Sequence, residues 1–372
     1  MTLQTDTTVP GYIGRIPVRN IWLLLLYASQ LYEELPEARR VELEDAPDDI
    51  PDLVAEILAD AVERRLRRNL TAGYQRRQAD LNRVRGRINL LRTERRQLLR
   101  RARVACVFDE LTVDTPRNRY VRAALTHVAG VVKEPNLRHR CRDLALRLEM
   151  VGVSGCLDSN RARKIAPFAN AGWVDSHERQ MLAAAQLALN LHIPTEQAGR
   201  SLLPVADRRE RQGWKLYEDA VAGFYKVVLT ERGWRVRAQS GVAWPVENQT
   251  SGLLAMMPGM TRDIVLERGN RRIVIDTKFT SIVTTGQYGK ETFKSGNIYQ
   301  LYAYLRSQET DDPVSQSSAG VLLYPSLGVV HDESATIQGH GIRFATVDLS
   351  AETQTIRRQL LRIVEDCASP AN

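Results

Sequence analysis

Two short apolar runs joined by a glycine–asparagine pair constrain the fold of this chain most strongly. Ile264–Leu266 and Ile273–Ile275 are apolar and mostly β-branched, and Gly269 and Asn270 between them accept the positive φ angles of a tight turn. The pattern predicts a β-hairpin. Because apolar residues occupy both faces of each strand, the hairpin is expected in a sheet that helices cover on both sides. The sequence therefore predicts an α/β fold around this hairpin.

The same hairpin brings two carboxylates and a lysine together. Counting outward from Gly269 and Asn270 places Asp263 opposite Asp276, and the alternation of side chains puts Lys278 on the same face as Asp276. Directly opposed like charges destabilise a strand pair unless something compensates them. A divalent cation would do so, Mg²⁺ or alternatively Mn²⁺. Two carboxylates, a metal and an ammonium group suit the hydrolysis of a phosphodiester.

An Asp-x-Lys sequence has a second interpretation. It is also typical of a surface hairpin in which Asp276 and Lys278 form an ordinary ion pair. The apolar residues on both faces of the two strands favour a buried, functional pair instead. The hairpin residues alone leave both interpretations open.

Length and charge limit the classes of protein to which the chain can belong. Its 372 residues are 43% hydrophobic and 26% charged, with a net charge of +8 and a pI near 9.4. These values predict a globular protein of two domains and favour a polyanionic partner. The four cysteines show no Cys-x-x-Cys spacing, so a reducing, cytoplasmic location is expected. The apolar run at 21–28 is far shorter than the roughly 20 residues of a membrane span, so no membrane partner is expected.

A polar segment at 194–212 predicts the division of the chain into two domains. The first, 1–205, is expected to be α+β, with helices and a small β projection. The second, 206–372, is expected to be an α/β domain with a mixed sheet flanked by helices, able to fold alone. The acidic, proline-containing stretch 41–52 is predicted to be a surface loop, and the Thr/Gly-rich stretch 280–296 is predicted to be a loop.

Arginine is concentrated in one part of the first domain. Residues 64–103 contain fifteen arginines and no lysine, with strands expected at Gly73–Gln78 and Val104–Val113. Gly86 within this stretch suggests a turn or a close backbone approach. The arginines are interpreted either as solvated faces or as a basic projection that contacts nucleic acid or an acidic partner.

Motifs spread over nearly the whole chain resemble one family. Glu218 lies beside the apolar stripe of a predicted helix at 214–230, and Gln300 and Tyr304 share a face of a later helix. The order Glu218, Asp263, Asp276-x-Lys278 and Gln300-x-x-x-Tyr304 is similar to the PD-(D/E)xK nuclease superfamily. Six further motifs resemble the McrC family, the nuclease subunits of the McrBC methylcytosine-dependent restriction systems: Ile16-Pro-Val-Arg-Asn-Ile, Val84-Arg-Gly-Arg-Ile88, Asp114-Thr-x-x-Asn118-Arg, Ile275-Asp-Thr-Lys278, Asn297-x-Tyr-Gln300-Leu and Leu322-Leu-Tyr-Pro325.

The resemblance implies a catalytic site, a metal and two partners. It implies that Asp263 and Asp276 bind the metal and that these two residues act with Lys278, Gln300 and Glu218 in catalysis. It further implies that the N-terminal domain docks on a McrB-like AAA+ GTPase hexamer and stimulates GTP hydrolysis. The implied substrate is double-stranded DNA with modified cytosine.

Two other functions remain open at the level of the sequence. One is an autonomous RecB-like nuclease in DNA repair, and the other is a non-catalytic interaction subunit whose hairpin acids are structural. The chain has no G-x-x-x-x-G-K-[ST] motif, so a nucleotide-driven motor is expected on another polypeptide.

Overall fold

The structure of the protein is a computed structural model that describes residues 12–13, 16–155, 175–191, 206–285 and 290–367. The chain divides into two compact units. The first unit combines residues 1–50 with 193–372, and the second consists of 51–192. Each unit is described by itself.

Both compact units contain helices and strands. The helices are α1 (Val18–Tyr27), α2 (Gln30–Glu34), α3 (Glu37–Asp45), α4 (Ile50–Arg67), α5 (Leu90–Arg95), α6 (Pro116–Val128), α7 (Pro135–Met150), α8 (Ser176–Asn190), α9 (Ala206–Thr230), α10 (Leu253–Met256), α11 (Ser295–Arg306), α12 (Pro313–Gln316) and α13 (Thr353–Asp366), with short 3₁₀ turns at Pro47–Asp49 and Leu98–Arg101. The strands are β1 (Tyr12–Ile13), β2 (Ile16–Pro17), β3 (Gly73–Leu81), β4 (Arg87–Ile88), β5 (Val104–Thr112), β6 (Arg235–Val242), β7 (Met260–Arg268), β8 (Arg271–Thr277), β9 (Val283–Thr285), β10 (Glu291–Phe293), β11 (Ala319–Ser326), β12 (Asp332–Ile337) and β13 (His340–Asp348). Among these described elements, no helix has the length and apolar character needed to cross a bilayer.

A six-stranded mixed sheet forms the centre of the first unit, as the sequence predicts. Its order is β12-β13-β11-β8-β7-β6, with β8, β11 and β13 parallel and the other neighbours antiparallel. Helix α11 covers one face, where Leu301 and Leu305 approach so closely that a Cβ on Gly320 would lie 2.9 Å from each. The apolar strands are therefore buried between helices, since α9 and α13 cover the opposite face.

Two contacts place α9 and α13 on that opposite face. Ile342 of β13 packs in the same core cluster as Leu301 of α11, whereas the next residue, Arg343, donates to the main-chain oxygen of Ile363 in α13 at 3.1 Å. Tyr225 of α9 donates its hydroxyl hydrogen to the main-chain oxygen of Leu360 in α13 at 2.8 Å. Side chains that alternate along β13 thus contact helices on opposite sides of the sheet.

The predicted partition at 205/206 differs from the compact units, because α1 packs against α9. The rings of Tyr27 and Phe224 lie 5.1 Å apart between centroids. At Gly223 the two helices touch so closely that a Cβ would lie 2.0 Å from the main-chain oxygen of Tyr27. Residues 1–50 therefore belong to the same compact unit as the mixed sheet. Residues 192–205, which include the predicted boundary, lie outside the described residues.

The prediction of a surface loop at 41–52 is wrong. These residues belong to α3, the 3₁₀ turn and the start of α4. Glu44 is buried, accepts hydrogen bonds from Arg357 at 2.7 and 2.9 Å, and accepts one from the hydroxyl of Tyr32 at 2.5 Å. The acidic composition therefore reflects specific pairing with distant residues as well as solvent exposure. The loop predicted at 280–296 likewise contains the antiparallel strand pair β9 and β10 and the start of α11, and residues 286–289 lie outside the described residues.

The second unit contains a small sheet and packed helices, as the sequence predicts. Strands β3, β5 and β4 are antiparallel, and α6 packs against α7 and α8. Gly86 has φ 67°, and a Cβ there would lie 2.5 Å from the main-chain oxygen of Val107. The close approach predicted at this glycine is therefore confirmed, because a side chain there would clash with the backbone of β5.

Candidate catalytic site

The hairpin has the register that its turn predicts. Pairs run from Arg268–Arg271 beside the turn to Ile264–Ile275, and Gly269 has a positive φ of 54°. Regular pairing between β7 and β8 ends at Ile264–Ile275. One Asp263 carboxylate oxygen accepts from the main-chain N–H of Thr277 at 2.7 Å and from its hydroxyl at 2.9 Å. The side chain of Asp263 thus caps a β8 amide at the level where regular strand pairing stops.

Strand β6 is also irregular at this level. Gln239 lies between the regular pairs Ala238–Ile264 and Ser240–Arg262, opposite Asp263, and has a φ of 48°. A positive φ in a residue other than glycine is uncommon and costs free energy. Two neighbouring strands therefore depart from regular geometry around Asp263.

Asp276 is the most deeply buried carboxylate of the group, with 1% of its surface exposed. Burial raises its pKa to about 6; Lys278 acts to lower that pKa, and the nearby charges of Asp263 and Glu218 raise it. Its Oδ2 lies 2.7 Å from the Nζ of Lys278 in an ion pair. Within the described ranges no other donor contacts this buried oxygen. Oδ2 of Asp276 therefore accepts fewer contacts than a carboxylate oxygen can accept.

Lys278 is fixed from several sides. Its main-chain N–H donates to the oxygen of Leu323 at 2.9 Å, which continues the β8–β11 pairing. Its Nζ donates to Oε1 of Gln300 at 3.1 Å, and Nε2 of Gln300 donates to the hydroxyl of Tyr304 at 2.6 Å. The ring of Trp214 lies 5.8 Å from the Nζ, within cation–π distance. The structure therefore brings Gln300 and Lys278 into direct contact.

Among the described residues, Glu218 lies near Asp263 and Asp276 but makes no direct contact with them. Burial raises its pKa, and the charge of Asp263 raises it further. Its Oε1 accepts from the Nε2 of Gln239 at 3.3 Å, and that amide also lies 3.3 Å from Oδ1 of Asp219. Glu218 is therefore within electrostatic range of Asp263, at the periphery of the candidate site.

Sequence reasoning missed two residues of this site. Trp214 stands four residues before Glu218 on α9, so helical spacing from Glu218 could have drawn attention to it. Asp219 is partly buried with a pKa raised mainly by burial, and it shares the amide of Gln239 with Glu218. An acidic residue adjacent to a candidate acid gave no separate signal in the sequence.

The donor set fits a cation that keeps much of its water. Among the residues that the structure describes, no group of three or more His, Cys, Asp or Glu side chains is arranged to hold a metal. Asp263 and Asp276 are instead two hard oxygen donors, and among the described residues the buried Oδ2 of Asp276 has no polar partner besides the Nζ of Lys278. Mg²⁺ is usually bound through one or two carboxylates together with waters and substrate phosphates. The two residues therefore fit such an ion.

Comparison with known proteins gives one family. The family model described as "McrBC 5-methylcytosine restriction system component" matches residues 10–198 and 212–325. The chain is 26% identical over 354 residues to the "Type IV methyl-directed restriction enzyme EcoKMcrBC" of Escherichia coli (strain K12), covering 94% of this chain and 98% of the relative.

Two solved structures show weaker likeness. The first is a half-complex of Thermococcus gammatolerans McrB AAA+ hexamers with bound McrC, with 15% identity and a TM-score of 0.43 over 93% of this chain and 76% of that chain. The second is the cryo-EM structure of the Thermococcus gammatolerans McrBC complex, with 13% identity and a TM-score of 0.32 over 53% and 69%. Likeness at this level adds nothing to the assignment of the fold.

Proposed function

Because the chain belongs to the family of McrBC 5-methylcytosine restriction system components, we propose that it is the DNA-cleaving subunit of a modification-dependent (type IV) restriction complex. In this proposal it has the PD-(D/E)xK nuclease fold and cuts double-stranded DNA that carries modified cytosine. Its partner is a McrB-like AAA+ GTPase hexamer, whose GTP hydrolysis it stimulates. The name of the Escherichia coli relative, a methyl-directed restriction enzyme, supports this assignment.

One observation carries the catalytic part of the proposal. The buried Asp276 carboxylate has a raised pKa, and among the described residues the only polar partner of its Oδ2 is a lysine ammonium 2.7 Å away. Burying a charged carboxylate costs free energy, so this group does not contribute to the stability of the strand pair. Perturbed acids beside a fixed cation are typical of catalytic sites.

Asp263 and Asp276 would hold the divalent ion in this mechanism. Bound Mg²⁺ would polarise a phosphoryl oxygen and lower the pKa of a water. At pH 7 a carboxyl with a pKa of about 6 is roughly nine-tenths ionised, so Asp276 is available as an oxygen ligand. Asp263 is held in place by the two hydrogen bonds from Thr277. Two preorganised acids thereby define where the scissile phosphate would lie.

Lys278 would orient the attacking water or stabilise charge on the phosphate. Its Nζ has three donors, and Oε1 of Gln300 and the carboxylate of Asp276 fix its position. Tyr304 in turn accepts from Gln300, which sets the direction of the amide. We assign Gln300 and Tyr304 positioning roles. Glu218 would act through its charge on Asp263, as its place at the periphery of the site suggests.

Asp276→Ala tests the catalytic assignment. We expect the reconstituted complex with this variant to cut methylated DNA more slowly by on the order of a thousandfold, because a ligand for the charge-stabilising ion is lost. Partner binding and GTP turnover should persist. The matched control is Asp311→Ala, an exposed acid of the same compact unit. Wild-type cleavage rates with Mg²⁺ in the Asp276 variant would contradict the assignment, and wild-type cleavage without the partner would favour the autonomous repair nuclease.

Charge reversal in the second compact unit tests the partner proposal. Arg83, Arg85 and Arg87 flank Gly86 and are exposed, and Arg85 also stacks 4.2 Å from the ring centroid of Phe108. We expect replacement of all three by Glu to reduce stimulation of the partner's GTP turnover, because complementary charge governs association at such surfaces.

Matched variants separate loss of docking on the GTPase partner from loss of the contacts that Arg85 makes within this unit. Because Arg85 contacts Phe108 and lies 3.3 Å from Glu110, the double variant Arg83→Glu/Arg87→Glu leaves those contacts intact. Arg142→Glu/Arg179→Glu, on exposed helix positions of the same unit, controls for the change in net charge. Equal GTP turnover for wild type, the double variant and the triple variant at several salt concentrations would refute a docking role.

A further inference from the structure

The end of the hairpin farthest from the candidate catalytic site is rich in arginine. Arg268 and Arg271 flank the turn, Arg272 follows on β8, and Arg235 begins the neighbouring strand β6. All four line a cavity of about 570 Å³ that also includes Asp312. This cavity lies within the first compact unit.

The arginines there outnumber the acids that could neutralise them. Glu267 is shared between Arg237, at 2.7 Å, and Arg272, at 3.0 Å. In the described parts of the chain, Arg235, Arg268 and Arg271 have no carboxylate within ion-pair distance. Several guanidinium groups held together without matching acids favour an anionic ligand.

The strand register places part of this charge on the same face of the sheet as Asp276. Alternate residues of β8 share a face, so Arg272 and Asp276 point to the same side. Glu267 pairs across the strands with both Arg272 and Arg235, and Arg237 pairs with Val265. Arg235, Arg237 and Arg272 therefore belong to the face that carries the candidate catalytic carboxylate.

One more arginine lies beside the catalytic group, on the side of Asp263 away from the turn. Arg262 directly precedes Asp263, and its buried Nε has no hydrogen-bond partner among the described residues. Arg237 and Arg272 are close enough to Arg262 for their charges to act on it. Positive charge is thus present on both sides of Asp263 along β7, towards the turn and at Arg262.

The spacing suits a nucleic-acid backbone. Arg272 and Asp276 are four strand residues apart, about 13 Å at the usual rise of a strand. Successive phosphates of one DNA strand advance about 3.4 Å along the helix axis, so this distance spans about four nucleotides. Arginine also matches the geometry of phosphate with paired N–H donors.

We propose that these arginines bind backbone phosphates of duplex DNA a few nucleotides from the bond that is cut. We call them the arginine track: Arg235, Arg237, Arg262, Arg268, Arg271 and Arg272. This inference rests on the proposed function, and it adds how the substrate would be held. An acidic surface of a protein partner is the competing occupant, but the shared face with Asp276 and the nucleotide-scale spacing favour DNA.

The experiment measures DNA binding without cleavage. Fluorescently labelled duplex DNA is titrated with the full-length chain in the presence of a chelator, and anisotropy gives the affinity over roughly 50 to 200 mM salt. We expect Arg235→Ala/Arg237→Ala, two exposed members of the track on the face of Asp276, to bind on the order of tenfold more weakly and to lower the slope of log affinity against log salt by about two, since each lost phosphate contact contributes about 0.9. The matched control is Arg358→Ala/Arg362→Ala on α13, which packs on the opposite face of the sheet.

The outcomes separate the track from the proposed function. Weaker binding and a smaller slope in the track variant but not in the control support the track. Unchanged affinity and slope overturn it, and so does normal DNA affinity combined with loss of binding to the GTPase partner. Cleavage by the wild-type complex decides the proposed function independently, because DNA affinity is measured with divalent ions removed.

Discussion

Asp276→Asn is expected to stabilise the first compact unit by up to about 3 kcal/mol at pH 7.5 while abolishing DNA cleavage. The carboxylate is 1% exposed, and its burial raises the pKa from 3.8 to about 6. Asparagine has nearly the same shape and carries no charge, so it avoids the cost of burying an ionised group. A substitution that stabilises the fold and removes activity is the behaviour expected of a strained functional residue.

The gain should depend on pH in a defined direction. A carboxyl whose folded pKa is raised contributes stability below its unfolded pKa, near 4, and that contribution is lost as the pH rises through about 6. The asparagine variant does not titrate at this position. Its advantage should therefore be absent below about pH 4, grow between about 4 and 6, and stay constant above.

Urea unfolding in the presence of a chelator measures this difference. The free energy of unfolding of the first unit is compared for wild type and Asp276→Asn at several pH values, with Asp311→Asn as the control at an exposed site. Equal stability of wild type and Asp276→Asn at pH 7.5 would mean that the buried carboxylate carries no cost in the fold.

A fragment of residues 206–372 is expected not to fold cooperatively. It lacks α1 and α3, so Phe224 loses its contact with Tyr27, and Arg357 loses the buried carboxylate of Glu44. Each large apolar side chain left uncovered costs about 1.5–3 kcal/mol, and domains of this size are stable by only about 5–15 kcal/mol. This expectation replaces the independent folding that the sequence predicts for 206–372.

Supplying the missing helices should restore the unit. Residues 1–50, either co-expressed with 193–372 or joined to them by a flexible linker, are expected to give a soluble product with one sharp unfolding transition. Circular dichroism during thermal unfolding distinguishes the fragments. A sharp transition for 206–372 alone would show that the contacts of α1 and α3 are not needed for folding.

The hairpin shows what local sequence determines. A two-residue turn fixes the register of the strands, and side-chain alternation then fixes which residues share a face. Asp276 and Lys278 were for this reason predicted together, and the structure places them in an ion pair. Helical spacing likewise predicts the shared face of Gln300 and Tyr304, which are hydrogen-bonded.

Long-range packing accounts for what the sequence did not predict. The continuous apolar run of α1 predicts a buried helix, but it does not identify α9 as the partner, and the contact at Gly223 joins residues far apart in the chain. The acidic stretch of α3 suggested a loop because the partner of Glu44, Arg357, lies near the other end of the sequence. Alternation also predicts that Asp263 directly faces Asp276, whereas its carboxylate instead caps the amide of Thr277.

Metal titration tests most directly whether the two carboxylates form a metal-binding catalytic site. Calorimetry with Mn²⁺ and Mg²⁺ compares the full-length wild-type chain with Asp263→Asn, Asp276→Asn and Lys278→Ala. We expect binding to wild type, loss of that binding in both asparagine variants, and retention in Lys278→Ala, because an ammonium is not a metal ligand. Lys278→Ala should nevertheless fail to cut DNA. Wild-type metal affinity in both asparagine variants would contradict the assignment of Asp263 and Asp276 as the ligands.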